Sequence, residues 1–431
     1  MSDTTLSTQS SATVDEVITT VIMARVTDYF GFFVYAIASA LVFPRLFFPN
    51  FEPVQGTMLS FAVFALAFLA RPVASLLARK IQRKIGLQAK VTIAMIVFGT
   101  CTVAIGLLPG YAELGWLAPV LLAVLRIGQG LGLGGSWDGI TLQLQNAAPK
   151  EREGIYAMVP QLGSPIGFAV AASLFYVLTG FLTDEEFITY GWRFAFFAVM
   201  AVNVVSLFAR IRLLNTNFGA DAKVTRLSPI RDMIRSQWRP IILSTFAPLA
   251  SYALLHMVTV FPLGYALLYT DWPITQILLL QLLGSGLAIL MVVLSGWMAD
   301  HFSRRWVVGV GTLMISLLCL TIGTLDSHPA VFILLGFMLL GFAHGQSGAI
   351  VPKRFKPKYA YSASALSTNL SWIFGAAFAP LTGLFLTDRF GLWAASLYLL
   401  SGVIVTAIAL YLLHIREQLL AEHGLDARST G

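Results

Sequence analysis

The sequence has few charged residues and almost no cysteine. Only 11% of its 431 residues are charged, whereas soluble domains carry roughly 25%. A soluble globule of this size could not keep its 57% of hydrophobic residues out of water. The shortage of charge therefore excludes an ordinary soluble protein and predicts an integral membrane protein.

Recognisable chemical motifs are also missing. The two cysteines, Cys101 and Cys319, lie inside apolar runs and offer neither a disulfide framework nor metal-ligand spacing. No Ser-His-Asp set, phosphate loop or paired carboxylate site stands out, so we expect no cofactor, no metal and no enzymatic activity. The net charge of +7 comes with no separate basic domain, and we expect no nucleic-acid partner.

Long apolar runs are abundant, and the mean hydropathy is +0.78. A helix needs about 20 mostly apolar residues to cross the hydrocarbon core of a bilayer. Twelve runs meet this length, and we predict an all-α integral membrane fold. The predicted spans are 22–43, 58–78, 91–109, 115–138, 155–182, 191–209, 240–265, 273–299, 306–325, 330–351, 362–387 and 392–414.

The distribution of basic residues predicts the orientation. If the N-terminus is cytoplasmic, 22 of the 28 Lys and Arg residues fall on the cytoplasmic side, and only Arg45 and Arg389 fall outside. Cytoplasmic loops are enriched in Lys and Arg. We therefore expect a multi-pass membrane protein with both termini in the cytoplasm.

The long basic loop 210–239 divides the chain into two six-helix halves. The segment GWMADHFSRR begins at Gly296, 217 residues after RKIQRKIGLQ begins at Arg79, which indicates an internal repeat. The expected organisation is a polar tail over 1–16, a bundle over 17–213, a cytoplasmic linker over 214–239, a second bundle over 240–416 and a tail over 417–431.

Several segments resemble the major facilitator superfamily and, within it, the metabolite:proton symporter subfamily. They are GWMADHFSRR (296–305), DYFGFFVYAIASALVFPRLFFP (28–49), FALAFLARPVASLL (64–77), RIGQGLGLGGSWDG (126–139), NAAPKEREGIYAMVPQLGSPIGF (146–168), YGWRFAFF (190–197) and SASALSTNLSWIFGAAFAPL (362–381). The resemblance covers nearly the whole chain. It implies two pseudo-symmetric bundles in a bacterial inner membrane that alternate access to a midplane site.

The implied function is proton-coupled symport of a small metabolite, an organic anion or a zwitterion. The expected partners are this substrate, protons and the lipid bilayer, and the sequence gives no signal for an oligomer, so we expect a monomer. Efflux is an alternative, but QLGSPIG (161–167) departs from the G-x-x-x-G-P signature of antiporters. A transporter-derived receptor or scaffold that carries no substrate is another alternative.

Four positions depart from the subfamily pattern. Arg83 stands where the first-half loop normally has an aspartate, and Gly31 stands where the first helix normally has a second acid. Ser136 replaces a glutamate of the fourth helix, and a new acid occurs at Asp138. These changes bear on proton coupling and gating, and they are the main support for the receptor alternative.

Asp28, His256 and His344 are the candidates for proton coupling, because each lies within a predicted span. An ionisable group in a membrane is costly and usually faces a cavity or a partner. The structural alternative for Asp28 is an ion pair with Arg25, which lies one helical turn away. For each histidine the alternative is a hydrogen-bonded packing residue.

Candidate substrate-binding residues are polar groups inside predicted spans. Arg126 is the strongest, because a guanidinium stays charged and can hold a carboxylate with two parallel hydrogen bonds. Its alternative role is that of a structural partner. The other candidates, which add cavity hydrogen bonds or shape a pocket, are Gln129, Gln161, Tyr35 and Asn369.

Candidate gating residues lie at the predicted cytoplasmic ends of spans. Asp300, Arg304 and Arg305 belong to the second-half loop, where a carboxylate can contact a helix N-terminus in one state and release it in another. Because Arg83 inverts the charge of the first-half loop, the two halves should latch unequally. Arg71 with Pro72 is predicted to end the second helix, as an anchor or a gate contact.

Overall fold

The computed structural model describes residues 13–136, 141, 144–145, 147–214, 230–350, 355–356 and 358–422. Within these ranges eleven helical segments are long and apolar enough to cross a membrane, and a twelfth is apolar but shorter. We number them in chain order. They are α1 (Val14–Leu41), α2 (Pro53–Ile85), α3 (Leu87–Leu107), α4 (Leu117–Gly135), α5 (Lys150–Phe181), α6 (Arg193–Leu214), α7 (Ile230–Tyr269), α8 (Ile274–His301), α9 (Arg304–Thr321), α10 (Pro329–His344), α11 (Ala360–Phe390) and α12 (Ala395–Glu422).

The twelve predicted spans correspond one to one with these helices, with two notable differences at their ends. The second helix was predicted to end at Arg71 and Pro72, and this prediction is wrong. It continues through Pro72 to Ile85, so that Arg71 lies inside the helix. The seventh helix begins at Ile230, before the predicted start at 240, because an amphipathic segment precedes its apolar run.

The same three residues interrupt the first helix of each half. Val-Phe-Pro occupies residues 42–44 after α1 and residues 260–262 within α7, an offset of 218 residues. The valine has nearly the same backbone angles in both places, with φ −119° and ψ −53° in one and φ −112° and ψ −47° in the other. Proline lacks the N–H that continues a helix and clashes with the preceding turn. The shared break supports the predicted internal repeat.

Glycines bring equivalent helices together in both halves. A Cβ on Gly130 of α4 would lie 2.3 Å from the carbonyl oxygen of Ala67 in α2. A Cβ on Gly341 of α10 would lie 2.3 Å from the carbonyl oxygen of Ala288 in α8. Only a residue without a side chain allows such contact between helix backbones. Gly130 and Gly341 therefore let the backbones of neighbouring helices touch in each half.

Two helices lie at the centre of the molecule. Residues 30–41 of α1 and residues 247–266 of α7 are buried on every face. Large apolar side chains on α6, α8 and α12, such as Phe208, Leu290 and Ile404, are instead exposed. A helix buried all round belongs to a core, whereas exposed apolar faces on long helices fit contact with lipid.

We call the end of the bundle where α1 begins and α2, α4 and α6 end the basic end, and the opposite end the far end. At the far end, Arg45 donates two hydrogen bonds to the carboxylate of Asp184, at 2.9 and 2.7 Å. This contact holds the pKa of Asp184 below its usual value. It joins the segment after α1 to the segment after α5, within one half.

Candidate functional site

A cavity of about 110 Å³ lies between the two halves, toward the basic end. One water needs roughly 10–15 Å³ of such volume, so this space would hold several waters or part of a small metabolite. Side chains from both halves line it. They include Arg25, Asp28, Tyr29, Phe32, Arg71, Ser136, Thr141, Gln161 and Arg210 from the first half, and Tyr252, Thr368 and Trp372 from the second.

Two arginines pair with Asp28 on the cavity wall. Arg210 donates from Nη2 to Oδ1 of Asp28 at 2.7 Å and also bonds the backbone oxygen of Ala24. Arg25 lies 3.8 Å from the other carboxylate oxygen and donates to Thr141. The predicted contact between Asp28 and Arg25 therefore exists, but the closer partner is Arg210. Sequence reasoning missed it, because Arg210 was counted as a loop charge.

Arg71 is the third arginine of the cavity and differs from the other two. Its guanidinium lies 5.2 Å from the ring centroid of Trp372, which belongs to the other half. Within the described residues it has no carboxylate in salt-bridge range, and its Nε, although buried, has no hydrogen-bond partner. The described cavity lining thus carries three arginines against the single carboxylate of Asp28.

Two helices are irregular where they meet the cavity. α5 narrows to a 3-10 turn over Val159–Leu162, which contains Pro160 and Gln161. α11 widens to a π-helix over Trp372–Ala377. Such departures from α-helical geometry are frequent at functional sites of soluble and membrane proteins. They place the side chains of Gln161 and Trp372 on the cavity wall.

Phe32 forms part of the inner end of the cavity, and Arg126 lies behind it. Arg126 is fully buried, does not line the cavity, and lies 5.5 Å from the centroid of Phe32 and 3.8 Å from that of Tyr35. It donates to the backbone oxygen of Phe64 at 3.1 Å and to Gln129 at 3.0 Å. Arg126, Gln129 and Tyr35 thus form one group, separate from the open cavity.

The two candidate histidines are buried and lie in different surroundings. The ring of His256 packs against Phe32 and Phe64, and its Nδ1 is 3.2 Å from the hydroxyl of Thr259. His344 packs against Tyr252, with its Nδ1 3.4 Å from the hydroxyl of Ser251. Neither lines the cavity, but each contacts an aromatic residue that does.

Asp300 joins the halves at the basic end. Its carboxylate accepts hydrogen bonds from the backbone N–H groups of Gly154 and Ile155, the latter at 3.3 Å. These groups belong to the first turns of α5, where the helix dipole favours an anion. Arg304 reaches the same segment, since it donates to the backbone oxygen of Glu153 at 3.4 Å. Gln346 adds a bond to the backbone oxygen of Gly154.

A second contact between the halves, from α2 to α11, uses neutral groups among the described residues. Asn369 donates to the hydroxyl of Ser75 at 3.0 Å, and Leu76 packs against an apolar cluster that includes Tyr359 and Leu366. Asn369, a predicted cavity residue, thus lies at a contact between the halves. Arg305 contacts His414 at 3.1 Å, which lies in its own half.

The structure gives a reason for the change at Gly31. A Cβ there would lie 2.7 Å from the ring of Phe98 and 2.8 Å from Val199. The position faces the packed interior of the first half, so it has no room for a carboxylate. Ser136 lies on the cavity wall and bonds the backbone oxygen of Leu133. Asp138 lies outside the described residues.

The structure therefore brings four predicted site residues to one region and separates others. Asp28, Gln161 and Arg71 line the cavity, and Arg126 lies behind its inner end. The pairing of Arg210 with Asp28 could not be found from helix periodicity, because the two residues are 182 positions apart. The roles of all these residues remain predictions.

Comparison with known proteins supplies a family. Residues 29–368 and 272–426 match the family model described as Major Facilitator Superfamily. The inner membrane metabolite transport protein YhjE of Escherichia coli K12 is 35% identical, over 93% of this chain and 94% of its own. The shikimate transporter of the same organism is 30% identical, over 90% of this chain and 92% of its own.

Solved structures show the same fold. The crystal structure of a D-xylose-proton symporter superposes with a TM-score of 0.70 at 15% identity, covering 92% of this chain and 97% of that chain. A partially occluded inward-open structure of the xylose transporter XylE from E. coli gives a TM-score of 0.67 at 14% identity, covering 92% and 98%.

Proposed function

Because this chain belongs to the Major Facilitator Superfamily of membrane transporters, we propose that it imports a small organic acid together with protons. The chain is a multi-pass membrane transporter and not an enzyme. The proposal adds the class of substrate, the coupling ion, the direction and the bacterial inner membrane as the location. It also assigns roles to the residues of the cavity.

The observation that carries the proposal is the position of Arg71 on the cavity wall, where the described residues offer its guanidinium no counter-ion. Arg71 lies on the wall with no carboxylate in range among the described residues, and arginine stays charged at any physiological pH. A buried cation without a counter-ion is costly. A carboxylate that entered the cavity would remove that cost and bond the planar guanidinium with two parallel hydrogen bonds.

The rest of the cavity suits a small cyclic or short-chain acid. Tyr29, Tyr252 and Trp372 offer aromatic faces, and Gln161 offers an amide that can bond a hydroxyl or a carbonyl group. One relative supports the same class of substrate. It is named a shikimate transporter, and shikimate is a hydroxylated carboxylic acid. A zwitterion remains the second candidate, because its carboxylate could also bind Arg71.

Asp28 is the residue that we assign to proton coupling. It is the one carboxylate of the described cavity lining and is bound by Arg210 and Arg25. A proton that neutralises Asp28 would weaken both ion pairs and free α1 from the end of α6. Proton binding and helix movement would thereby be linked, which is what a coupled transport cycle requires.

The basic end supports an orientation of the chain in the membrane. Lys80, Arg83, Arg152 and Arg304 lie there, and basic residues concentrate on the cytoplasmic side of bacterial membrane proteins. We place the basic end and both termini in the cytoplasm. The cavity is then on the cytoplasmic side of its aromatic inner end, in the position from which an imported acid is released.

The test is uptake into proteoliposomes that contain a trapped pH dye. Shikimate, 2-oxoglutarate, citrate, proline and betaine are added in turn to native protein and to Arg71→Gln. We expect acidification of the lumen with at least one acid, and a loss of about ten-fold or more in Arg71→Gln. Arg389→Gln is the control, because it removes an exposed arginine at the far end.

The outcomes separate the candidate functions. Acidification by proline or betaine, but by no acid without an amino group, would favour a zwitterion. Substrate flux without a pH change would contradict proton coupling. Binding without flux for every compound would favour the receptor alternative, and proton-driven export would favour efflux.

A further inference from the structure

Arg126 occupies a closed compartment next to the cavity. It is fully buried, and the rings of Phe32, Tyr35 and Phe64 surround its guanidinium at centroid distances of 5.5, 3.8 and 4.9 Å. Phe32 also lines the cavity and contacts Trp372 with centroids 5.9 Å apart. Phe32 therefore contacts both Arg126 and the cavity that contains Arg71.

The compartment has unused hydrogen-bonding capacity. Within the described residues, Nη2 of Arg126, the hydroxyl of Tyr35 and Nε2 of His256 are all buried without a partner. The guanidinium of Arg126 stacks on the ring of Tyr35, and Arg126 and His256 both pack against Phe32 and Phe64. Buried polar atoms in native proteins are nearly always paired, so three neighbouring exceptions require an explanation.

The charge of Arg126 also favours the binding of an anion here. The described residues provide Arg126 with aromatic faces, a backbone oxygen and Gln129, but with no carboxylate. Aromatic faces compensate a buried cation only in part. An arriving anion would pair with the guanidinium and could accept hydrogen bonds from Nη2 and from the hydroxyl of Tyr35.

We propose that Arg126 is a second binding station for the carboxylate of the substrate, separated from the Arg71 station by Phe32. This inference rests on the proposed function. It adds the path that the substrate follows through the protein. The carboxylate occupies Arg71 when the molecule is open to the basic end and Arg126 when it is open to the far end. Phe32 turns aside as the carboxylate passes.

The two halves provide the means to move Phe32. Phe32 and Arg126 belong to the first half, whereas His256 and Trp372, which pack against Phe32, belong to the second. A rocking motion of one half against the other separates these rings. The space that opens is next to Arg126, so the station is uncovered by the same motion that changes access.

The experiment compares binding with exchange in native protein, Arg126→Gln and Tyr35→Phe. Equilibrium binding of radiolabelled shikimate, or of 2-oxoglutarate where native protein prefers it, is measured in detergent. Exchange of the same acid is measured in proteoliposomes loaded with unlabelled acid. We expect Arg126→Gln to bind within about three-fold of native protein and to exchange at least about ten-fold more slowly.

Tyr35→Phe keeps the ring that packs on Arg126 and removes only the hydroxyl, so it tests the station without disturbing the fold. We expect its binding to be unchanged and its exchange to be several-fold slower. If Arg126→Gln does not fold, the exchange rate of Tyr35→Phe alone tests the second station.

Native exchange rates in both variants would overturn the second station. If Arg126→Gln loses binding and exchange to the same degree, Arg126 belongs to the Arg71 station or has a structural role. That result would also overturn the second station. If native protein exchanges none of the acids, the proposed function fails, and the second station fails with it.

Discussion

Nη2 of Arg210 lies 2.7 Å from Oδ1 of Asp28, and this pair fixes the last turns of α6 to the middle of α1. Arg210 is almost fully buried, while the side chain of Asp28 retains 20% exposure to the cavity. Water and protons therefore reach the carboxylate far more readily than they reach its cationic partner. That asymmetry suits Asp28, and not Arg210, to the exchange of a proton.

Replacing Asp28 by Asn should abolish proton coupling and also weaken the fold. The variant removes the Asp28 carboxylate from the buried guanidinium of Arg210, which costs about 1–3 kcal/mol for a partly exposed pair. We expect a lower unfolding temperature and no acid-dependent acidification in proteoliposomes. Thermal unfolding in detergent and the pH-dye assay check the two parts separately.

The double variant Asp28→Asn, Arg210→Gln is the matched control. It removes both charges of the pair together, so most of the stability lost in Asp28→Asn should return. Coupling should not return. If the double variant recovers acid-driven acidification, Asp28 is not the proton site, and the pair has a structural role alone.

The sequence predicted the helices well because the signal for a membrane span is local. About twenty apolar residues identify a membrane-spanning helix wherever it packs. The repeated segments that begin at Arg79 and Gly296 can likewise be recognised from the sequence. The partners of the site were not predictable in this way. Arg210 follows an apolar run and precedes a basic loop, so it has the pattern of an orientation signal. Only the contact of α6 with α1 turns it into the partner of Asp28.

Arg126 and Arg71 illustrate the same limit. Both are single arginines within or beside apolar runs, and the sequence favoured Arg126 as the ligand of the substrate and Arg71 as an anchor. The structure places Arg71 on the cavity wall and Arg126 behind Phe32. The difference depends on helix rotation and on the continuation of α2 through Pro72, which a local pattern does not specify.

Two described contacts join the halves at the basic end, and their difference in charge gives a second prediction. Asp300 is a charged acceptor for two backbone N–H groups of α5, whereas Ser75 makes one neutral bond to Asn369. Hydrogen bonds to a charged group are worth about 1.5–3 kcal/mol and neutral ones about 0.5–1.5 kcal/mol. Asp300→Ala should therefore open the basic end far more than Ser75→Ala does.

The measurement is the distribution of distances between spin labels at the basic ends of α2 and α8. We expect Asp300→Ala to increase the long-distance population strongly, by up to about 30-fold in the equilibrium constant for a 2 kcal/mol change. Ser75→Ala, the matched control, should change it by about five-fold or less. Equal shifts in the two variants would show that both crossings close the molecule to the same degree.

A third prediction concerns the glycines that join α2 to α4. A Cβ at Gly130 would lie 2.3 Å from the carbonyl oxygen of Ala67 and 2.7 Å from its Cα. These are backbone atoms, so the helices themselves must separate to admit a methyl group. Gly130→Ala should destabilise the protein by about 1–3 kcal/mol, a common cost of overpacking, and lower its unfolding temperature in detergent.

Gly286→Ala separates this effect from the helix propensity of alanine. Gly286 lies within α8 with nothing within 4 Å of an added Cβ, so alanine should stabilise there by about 0.5–1 kcal/mol. Gly341→Ala extends the test to the other half, since its Cβ also meets a carbonyl oxygen, that of Ala288, at 2.3 Å. Gly130→Ala and Gly341→Ala should lower the unfolding temperature by similar amounts. If only one of them does, the close contacts of the two halves are not equivalent, and the repeat does not extend to the packing of these helices.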